Sequence, residues 1–233
     1  MVQIHDTDYN RYVELIGTAH FTRRSINDAY KAIESLKPRD IALELDWRRF
    51  TQLNTACIKC SRVGSCKGIC EFIGATDALG NTNANIWLID MTEHEMQHRM
   101  KRRRRLYTRY PRRLPLRYYT DEDPVWLWEQ GYKERVINYS KRQIEAGRRY
   151  FPSVWRVLID ERNALMAARL AWISSKNLDE GKNPSILTFV GAAHVDGIRE
   201  LLQHPLQIRD HLRTFNLSFT DPTLIRRVAV QVH

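Results

Sequence analysis

The sequence predicts an α/β fold in which a central, mostly parallel sheet is flanked by helices. One observation is a strand, a helix and a strand in succession between Tyr12 and Leu45, which is typical of two parallel strands joined by a crossover helix. A second is a pair of later buried-type strands, at 86–90 and 185–191, which are each followed by helical sequence. A third is the 43% hydrophobic content of the 233 residues, which is enough for a sizeable core.

The first strand is the run from Tyr12 to Ala19, and the second runs from Asp40 to Leu45. Ser25 is the predicted cap of the helix between them, and Lys37-Pro38 ends it. The apolar positions of that helix recur at helical spacing, at Ile26, Ala29, Ala32, Ile33 and Leu36. Later segments predict helices from about 92 and at 121–149, 153–176 and 196–203, and two weaker strands near 213–219 and 225–232.

We expect one domain over residues 1–233, with a cysteine-rich insert at 55–72 and a basic, helical insert at 99–150. No apolar run approaches the length of about 18 residues that spans a bilayer. The first residues also lack the basic-then-apolar pattern of a signal peptide. These features predict a soluble, cytoplasmic protein without a transmembrane segment.

The net charge of +10 is concentrated in one segment. Ten basic residues and no acidic one lie at 99–117, which leaves 27 of each sign elsewhere. This distribution disfavours a protein that coats nucleic acid with a broad basic face. Arginines interleaved with tyrosines can still bind nucleic acid, an acidic peptide, an anionic membrane or an acidic subunit, and a merely solvated helix face is the alternative. The candidate anion-binding residues are Arg102, Arg103, Arg104 and Arg105.

Ionisable residues follow each predicted strand. His20 and His194 end two Gly-x-Ala-His motifs, while Glu44 and Asp90 end the second and third strands. Ligands of open parallel sheets bind outside the carboxyl ends of the strands, so we expect these four side chains in one crevice. Two imidazoles and a carboxylate suit Mn, Co, Fe or Zn with open positions, although each histidine could instead be structural.

These motifs resemble the TraB/PrgY (pheromone shutdown) family, which is related to the TIKI metalloproteases and to the EreA/ChaN-like superfamily. The resemblance covers roughly residues 12–203. It rests on an ordered set of segments: Gly17-Thr18-Ala19-His20, Leu43-Glu44-Leu45-Asp46, Leu88-Ile89-Asp90, Ile159-Asp160-Glu161-Arg162-Asn163 with Met166-Ala167, and Val190 to Ile198.

The resemblance implies a divalent-metal peptidase site formed by His20, Glu44 and His194. Asp90, Glu161 and Arg162 match further family positions, where they would shuttle protons, orient ligands or stabilise negative charge. Glu161-Arg162 is equally typical of a structural ion pair on a helix. The chain departs from the family at Asn163, where aspartate is usual, in its cysteine cluster, and in lacking a membrane-spanning tail.

All four cysteines, Cys57, Cys60, Cys66 and Cys70, lie within fourteen residues. Four clustered thiolates suit a structural Zn ion or an iron–sulfur cluster, and four free thiols are the alternative. The spacing does not decide between the two cofactors.

A second metal motif is His94-Glu95-Met96-Gln97-His98, which fits H-E-x-x-H. Its polar surroundings and the adjacent Arg99 favour a coincidence on a surface helix, whereas His94 could also point into the crevice. We therefore treat His94 and His98 as secondary metal-ligand candidates.

Taken together, these features predict a metal-dependent hydrolase that is most similar to a peptidase and acts on a peptide or acidic substrate. A protein that binds a peptide or metal ligand without turnover is one alternative. A nucleic-acid-associated protein that uses the basic segment is another, and a homo-oligomer is compatible with each.

Overall fold

The computed structural model describes residues 4–20, 22–58, 84–104 and 122–225. Its strands are β1 (Val13–Thr18), β2 (Asp40–Leu43), β3 (Asn85–Leu88), β4 (Ile186–Gly191) and β5 (Thr223–Ile225). Its α-helices are α1 (Arg23–Leu36), α2 (Trp47–Ile58), α3 (Glu93–Arg104), α4 (Pro124–Glu129), α5 (Lys133–Tyr150), α6 (Pro152–Trp155), α7 (Arg162–Asp179), α8 (Val195–Gln203) and α9 (Pro205–Thr214). A 3₁₀ turn spans Tyr9–Arg11, and a π-helical segment spans Arg156–Glu161.

The five strands form one sheet in the order β1-β4-β2-β3-β5. The first four strands are parallel, and β5 is antiparallel to β3. Thr18 pairs with Gly191, and Leu43 pairs with both Phe189 and Leu88, so the carboxyl ends of the parallel strands lie along one edge. The α/β fold with a mostly parallel sheet and flanking helices is confirmed.

The sheet is covered on both faces. Every residue of β2 and β4 is buried, as expected for central strands of a parallel sheet. The long helix α7 packs in the larger apolar cluster with α8 and α9, and its small residues from Ala164 to Ala171 are buried around most of its circumference. Helix α1 contributes Ala29 and Ile33 to the cluster on the opposite face.

Several boundaries differ from the sequence prediction. The helix expected at 121–149 is two helices, because Gly131 adopts a left-handed φ of 92° between α4 and α5. Thr22, not Ser25, caps α1, and its hydroxyl accepts a hydrogen bond from the Ser25 amide at 3.2 Å. The weak strand expected near 213–219 is wrong, because α9 extends to Thr214 and a turn with Asn216 at φ 52° follows.

Among the described residues, none of the helices combines the length and the apolar character needed to cross a membrane. The cysteine-rich insert at 55–72 falls largely outside the described ranges, as does the basic segment from Arg105 onward.

Candidate functional site

The carboxyl edge of the sheet gathers the polar residues that follow the parallel strands. His20 lies two residues beyond β1, Glu44 directly follows β2, and Asp90 lies two residues beyond β3. His194 lies at the N-terminus of α8, three residues beyond β4. Glu44, Asp90 and His194 are each less than 5% exposed, whereas His20 is half-buried.

Three of these side chains meet above Gly191. A Cβ atom placed on that glycine would lie 3.2 Å from His20 Nε2, 3.4 Å from Glu44 Oε2 and 3.7 Å from His194 Cδ2. The Gly191 amide also donates a hydrogen bond to Glu44 Oε2 at 2.5 Å. A side chain at Gly191 would therefore crowd the point where the two imidazoles and the carboxylate converge.

Arg162 occupies the centre of the cluster, and all five of its N–H donors have protein acceptors. Its Nε donates to Asp90 Oδ1 at 3.0 Å, and its Nη2 donates to Asp90 Oδ2 at 2.7 Å and to Glu44 Oε1. Its Nη1 reaches the Leu158 carbonyl at 3.2 Å and His194 Nε2 at 3.1 Å. The guanidinium thus links Glu44, Asp90 and His194 into one hydrogen-bonded unit.

A second guanidinium supports Asp90 from α2. Arg49 Nη2 donates to Asp90 Oδ2 at 2.5 Å, and the Arg49 amide donates to Asp46 Oδ1 at 2.7 Å. Asp46 Oδ2 accepts from the Glu93 amide at 2.6 Å, so this carboxylate holds the first turns of both α2 and α3. Arg169 of α7 adds a third guanidinium, which donates to the backbone carbonyls of Ile89 and Asp90. The carboxylates of Glu44, Asp46 and Asp90 therefore lie among three buried or half-buried arginines.

The mutual contacts set the ionisation of the cluster. Burial alone would raise the pKa of Asp90, but Arg162 and Arg49 hold it far below its usual value. Burial likewise opposes the ionisation of Glu44, whose pKa is nevertheless lowered by His194 in its protonated form and by the guanidinium of Arg162. Burial would lower the pKa of Arg162, whereas Asp90 and Glu44 raise it. Both carboxylates are therefore ionised, and the guanidinium is charged.

His194 is held as a neutral imidazole. Burial lowers its pKa, against the opposing effect of Glu44. Its Nδ1 lies 2.6 Å from Asn163 Oδ1, and its Nε2 faces the donor Arg162 Nη1, so the proton is assigned to Nδ1. A Cβ atom on Gly197 would lie 2.2 Å from Asn163 Nδ2, so the glycine makes room for the amide that orients His194.

The π-helical segment places Arg162 and Asn163 at this edge. Arg156–Glu161 departs from α-helical hydrogen bonding immediately before α7, and its Leu158 carbonyl accepts from Arg162. π-Helical turns inside helices occur frequently at functional sites. Glu161, the last residue of the segment, is fully buried and pairs with Arg99 at 3.4 Å and with Arg156 at 3.7 Å. Glu161 is thus held by arginines of α3 and of the π-helical segment.

His20, Glu44 and His194 supply a donor set that suits a transition metal. In the described arrangement, however, Arg162 hydrogen-bonds Glu44 Oε1 and His194 Nε2, two of the atoms that would bind the ion. Within the described ranges, no group of three or more His, Cys, Asp or Glu side chains is arranged to hold a metal ion. These side chains as placed therefore do not fit a metal, because a guanidinium takes its position.

The second metal motif lies on α3 with both imidazoles exposed. His94 and His98 face solvent, and Glu95 between them pairs with Arg99 at 2.9 Å. Arg102 is also exposed on this helix. The side chains of Arg103, Arg104 and Cys57, and the whole of Arg105, Cys60, Cys66 and Cys70, lie outside what the structure describes.

Sequence reasoning missed Arg49 and the orienting role of Asn163. Arg49 carries no motif, although its spacing from Asp46 is that of a helix N-terminal pair. Asn163 was noted only as a departure from the family pattern, and it orients His194. Gly191 begins the second Gly-x-Ala-His motif, and its missing side chain leaves room for His20 and Glu44.

The chain is similar to an uncharacterized protein of Methanocaldococcus jannaschii. The two are 29% identical over 225 residues, an alignment that covers 82% of this chain and 53% of the relative. The chain thus spans about half the length of that archaeal protein. No protein-family model matches the chain, and no solved structure matches it.

Proposed function

We propose that this chain is a hydrolase that cleaves a peptide or a similar amide at the corner formed by His20, Glu44 and His194. The observation that carries the proposal is the convergence of His20 Nε2 and Glu44 Oε2 on one point above Gly191, at 3.2 and 3.4 Å. A half-buried imidazole beside a buried, ionised carboxylate is a recurrent arrangement for moving a proton. The site also lies outside the carboxyl ends of parallel strands, where ligands of such sheets bind.

In this proposal each residue has one role. His20, the most exposed member, takes a proton from the attacking water and returns it to the leaving nitrogen as the C–N bond breaks, and Glu44 stabilises the imidazolium that forms in between. Arg162 fixes Glu44 and His194 and keeps positive charge beside them, offsetting the negative charge that develops on the substrate carbonyl. Because its donors already have protein acceptors, Arg162 acts first as a positioning residue.

A divalent-metal form of the proposal is kept separate, because an imidazole that binds an ion through Nε2 cannot also take the proton of the attacking water. In that form His20, Glu44 and His194 would hold Mn, Co, Fe or Zn, which requires a placement of Arg162 different from the one described, in which it bonds Glu44 and His194. Such an ion would supply a bound water of lowered pKa.

A peptide-library digest read by mass spectrometry tests the proposal. The purified chain is incubated with the library after EDTA treatment and after addition of Mn²⁺, Co²⁺ or Zn²⁺. Wild type is compared with His20→Ala and His194→Ala, and with His98→Ala as a matched loss of one exposed imidazole. We expect cleavage by wild type and His98→Ala and none by the other two. Cleavage that survives in His20→Ala, or is lost only in His98→Ala, contradicts the site.

The metal part is measured on the same proteins by elemental analysis. We expect the divalent metal content to fall in both His20→Ala and His194→Ala. Unchanged content in both variants contradicts a metal at this corner, while cleavage in EDTA shows that the residues of the chain suffice.

A binding protein without turnover is the second candidate. This role is favoured because all five N–H donors of Arg162 already have protein acceptors, whereas a catalytic guanidinium normally keeps a donor for the substrate. Retention of library peptides without cleavage, in the presence of metal, would identify this role.

The cysteine cluster remains a separate proposal. We propose that Cys57, Cys60, Cys66 and Cys70 bind a structural Zn ion or an iron–sulfur cluster within an insert at 55–72, and that 99–150 forms a second insert. Reduced thiolates fit a cytoplasmic location. A visible absorption band of anaerobically purified protein would identify iron and sulfur, and a colourless protein with bound Zn would identify the alternative.

A further inference from the structure

A cavity of about 500 Å³ lies between α4 and α5. Leu127, one of its lining residues, belongs to a small apolar cluster that packs against Ala19 and Ala192. Ala19 directly precedes His20, and Ala192 lies two residues before His194. The cavity is therefore attached to both segments that carry the imidazoles of the candidate site.

A salt bridge makes a second connection to the site. Lys141, which lines the cavity, pairs at 2.8 Å with Asp196, two residues after His194. The cavity wall and the N-terminal turn of α8 are thus held together on the His194 side.

The described lining of the cavity is positively charged. Arg135, Lys141 and Arg142 contribute three cations, of which Lys141 is paired with Asp196 and one is balanced by the carboxylate of Glu122, which leaves one positive charge. Arg135 pairs with Glu122 at 3.2 Å. Within the described part of the chain, Arg142 makes neither a hydrogen bond nor an ion pair. Its side chain is exposed, so an incoming anion can reach the guanidinium.

The remaining lining suits an anion carried on an organic stem. Tyr139 and Asn138 offer neutral hydrogen-bonding groups, and Leu127 offers a buried apolar surface. Arg135 also stacks on the exposed ring of Tyr132 at 5.7 Å, so an aromatic surface adjoins the cavity. Guanidinium groups bind carboxylates through two parallel hydrogen bonds.

We propose that this cavity is a substrate subsite that binds a carboxylate of an acidic peptide, with Arg142 as its principal anchor. Binding of the carboxylate stands independently of catalysis. The further statement, that it holds the scissile amide near His20, rests on the proposed hydrolase function.

Fluorescence anisotropy with two labelled peptides of equal length, one glutamate-rich and one with glutamine at the same positions, tests the subsite. We expect the full-length wild type to bind the glutamate peptide about tenfold more tightly than the glutamine peptide. Arg142→Gln should lose most of that preference, and Arg142→Lys should retain part of it. Arg149→Gln, which removes an exposed arginine of the same helix from outside the described lining, is the matched control and should change affinity less than twofold.

Equal affinity for the two peptides overturns the proposal. So does an unchanged preference in Arg142→Gln, which would place acidic binding elsewhere, for example on the segment at 99–117. An equal loss in Arg142→Gln and Arg149→Gln would indicate a general charge effect and also overturns it. His20→Ala is measured in parallel, and mass spectrometry of each peptide after titration reports cleavage. If wild type binds the glutamate peptide preferentially but cleaves neither peptide, the proposed hydrolase function fails while the subsite stands. If it cleaves peptide without that preference, the subsite fails while the hydrolase function stands.

Discussion

The two edges of the sheet treat buried carboxylates in opposite ways. At the amino edge, Asp40 is fully buried and accepts hydrogen bonds from Trp87 Nε1 at 2.8 Å, Asn85 Nδ2 at 2.9 Å and Asn177 Nδ2 at 3.0 Å. All three donors are neutral groups. At the carboxyl edge, Asp90 and Glu44 are satisfied by guanidiniums.

The difference indicates that the amino edge stabilises the fold and that the carboxyl edge is the candidate functional site. The neutral donors around Asp40 connect β2 to β3 and to α7. None of these hydrogen bonds brings a second ionisable group to Asp40. The carboxyl edge instead brings together charges of both signs, a neutral imidazole, and a half-buried histidine beside a glycine that leaves space. Such concentrations of perturbed ionisable groups mark functional sites.

Removing the central cation should have the largest effect. Arg162→Met leaves Glu44 and Asp90 buried without their principal counter-ion, and we expect the free energy of unfolding to fall by about 3–5 kcal/mol. Asp40→Asn should lower the free energy of unfolding by about 1–2 kcal/mol, because the new –NH2 group cannot accept the hydrogen bond that one carboxylate oxygen accepted. Urea denaturation measures both. Equal costs for the two variants would contradict the distinction between the edges, and Arg162→Lys, which keeps the charge, serves if Arg162→Met does not fold.

Acid should act on the carboxyl edge through Asp90. Because the folded-state pKa of Asp90 is lowered, its contribution to stability is complete above the unfolded pKa of about 3.9 and is lost as the pH falls toward the folded value. Below about pH 4, the unfolding free energy of wild type should fall more steeply than that of Asp90→Asn, by up to about 1.4 kcal/mol per pH unit. Asp196→Asn controls for removing one exposed carboxylate. Parallel curves for wild type and Asp90→Asn would show that Asp90 carries no such linkage.

A smaller effect concerns the state of His194. Asn163→Asp places a carboxylate against Nδ1–H, so we expect the pKa of His194 to rise by about one unit. NMR titration of the histidine ring signals measures the change, and Asn163→Ala separates the new charge from the lost hydrogen bond. An unchanged titration of His194 in Asn163→Asp would refute the assigned contact.

The smallest expected change in stability comes from Gly191→Ala. The added methyl would lie 3.2 Å from His20 Nε2 and 3.4 Å from Glu44 Oε2, so these side chains must shift by tenths of an ångström. We expect a stability loss of about 1 kcal/mol or less, together with a loss of hydrolysis of more than tenfold. Thermal denaturation and a rate assay on the same preparation distinguish the two. Unchanged hydrolysis would show that the space above Gly191 is not used.

The strands and their common edge could be predicted because local pattern determines them. Buried runs such as Ile86–Asp90 and the small residues before His20 and His194 are visible in one dimension, and parallel strands bring their carboxyl ends together. Helix boundaries were less predictable, since the break at Gly131 depends on a glycine inside an otherwise helical pattern.

The central role of Arg162 could not be predicted, because it depends on long-range contacts. Arg162 lies 118 residues from Glu44 and 72 from Asp90 along the chain. Spacing places it on a helix but does not reveal that its five donors converge on this cluster. The π-helical segment that aims it has no recognised sequence signal, and Arg49 joins the cluster from a helix without any catalytic motif.

The most direct test of a hydrolytic carboxyl edge is the ratio kcat/KM for one cleaved peptide in wild type, His20→Ala and Asp40→Asn, at a temperature where all three are folded. We predict that His20→Ala lowers kcat/KM by at least about 100-fold, the usual minimum for loss of a general base. Asp40→Asn, at the opposite edge, should change it by less than about threefold. Equal losses in the two variants, or full activity in His20→Ala, would contradict the assignment of the carboxyl edge as the active site.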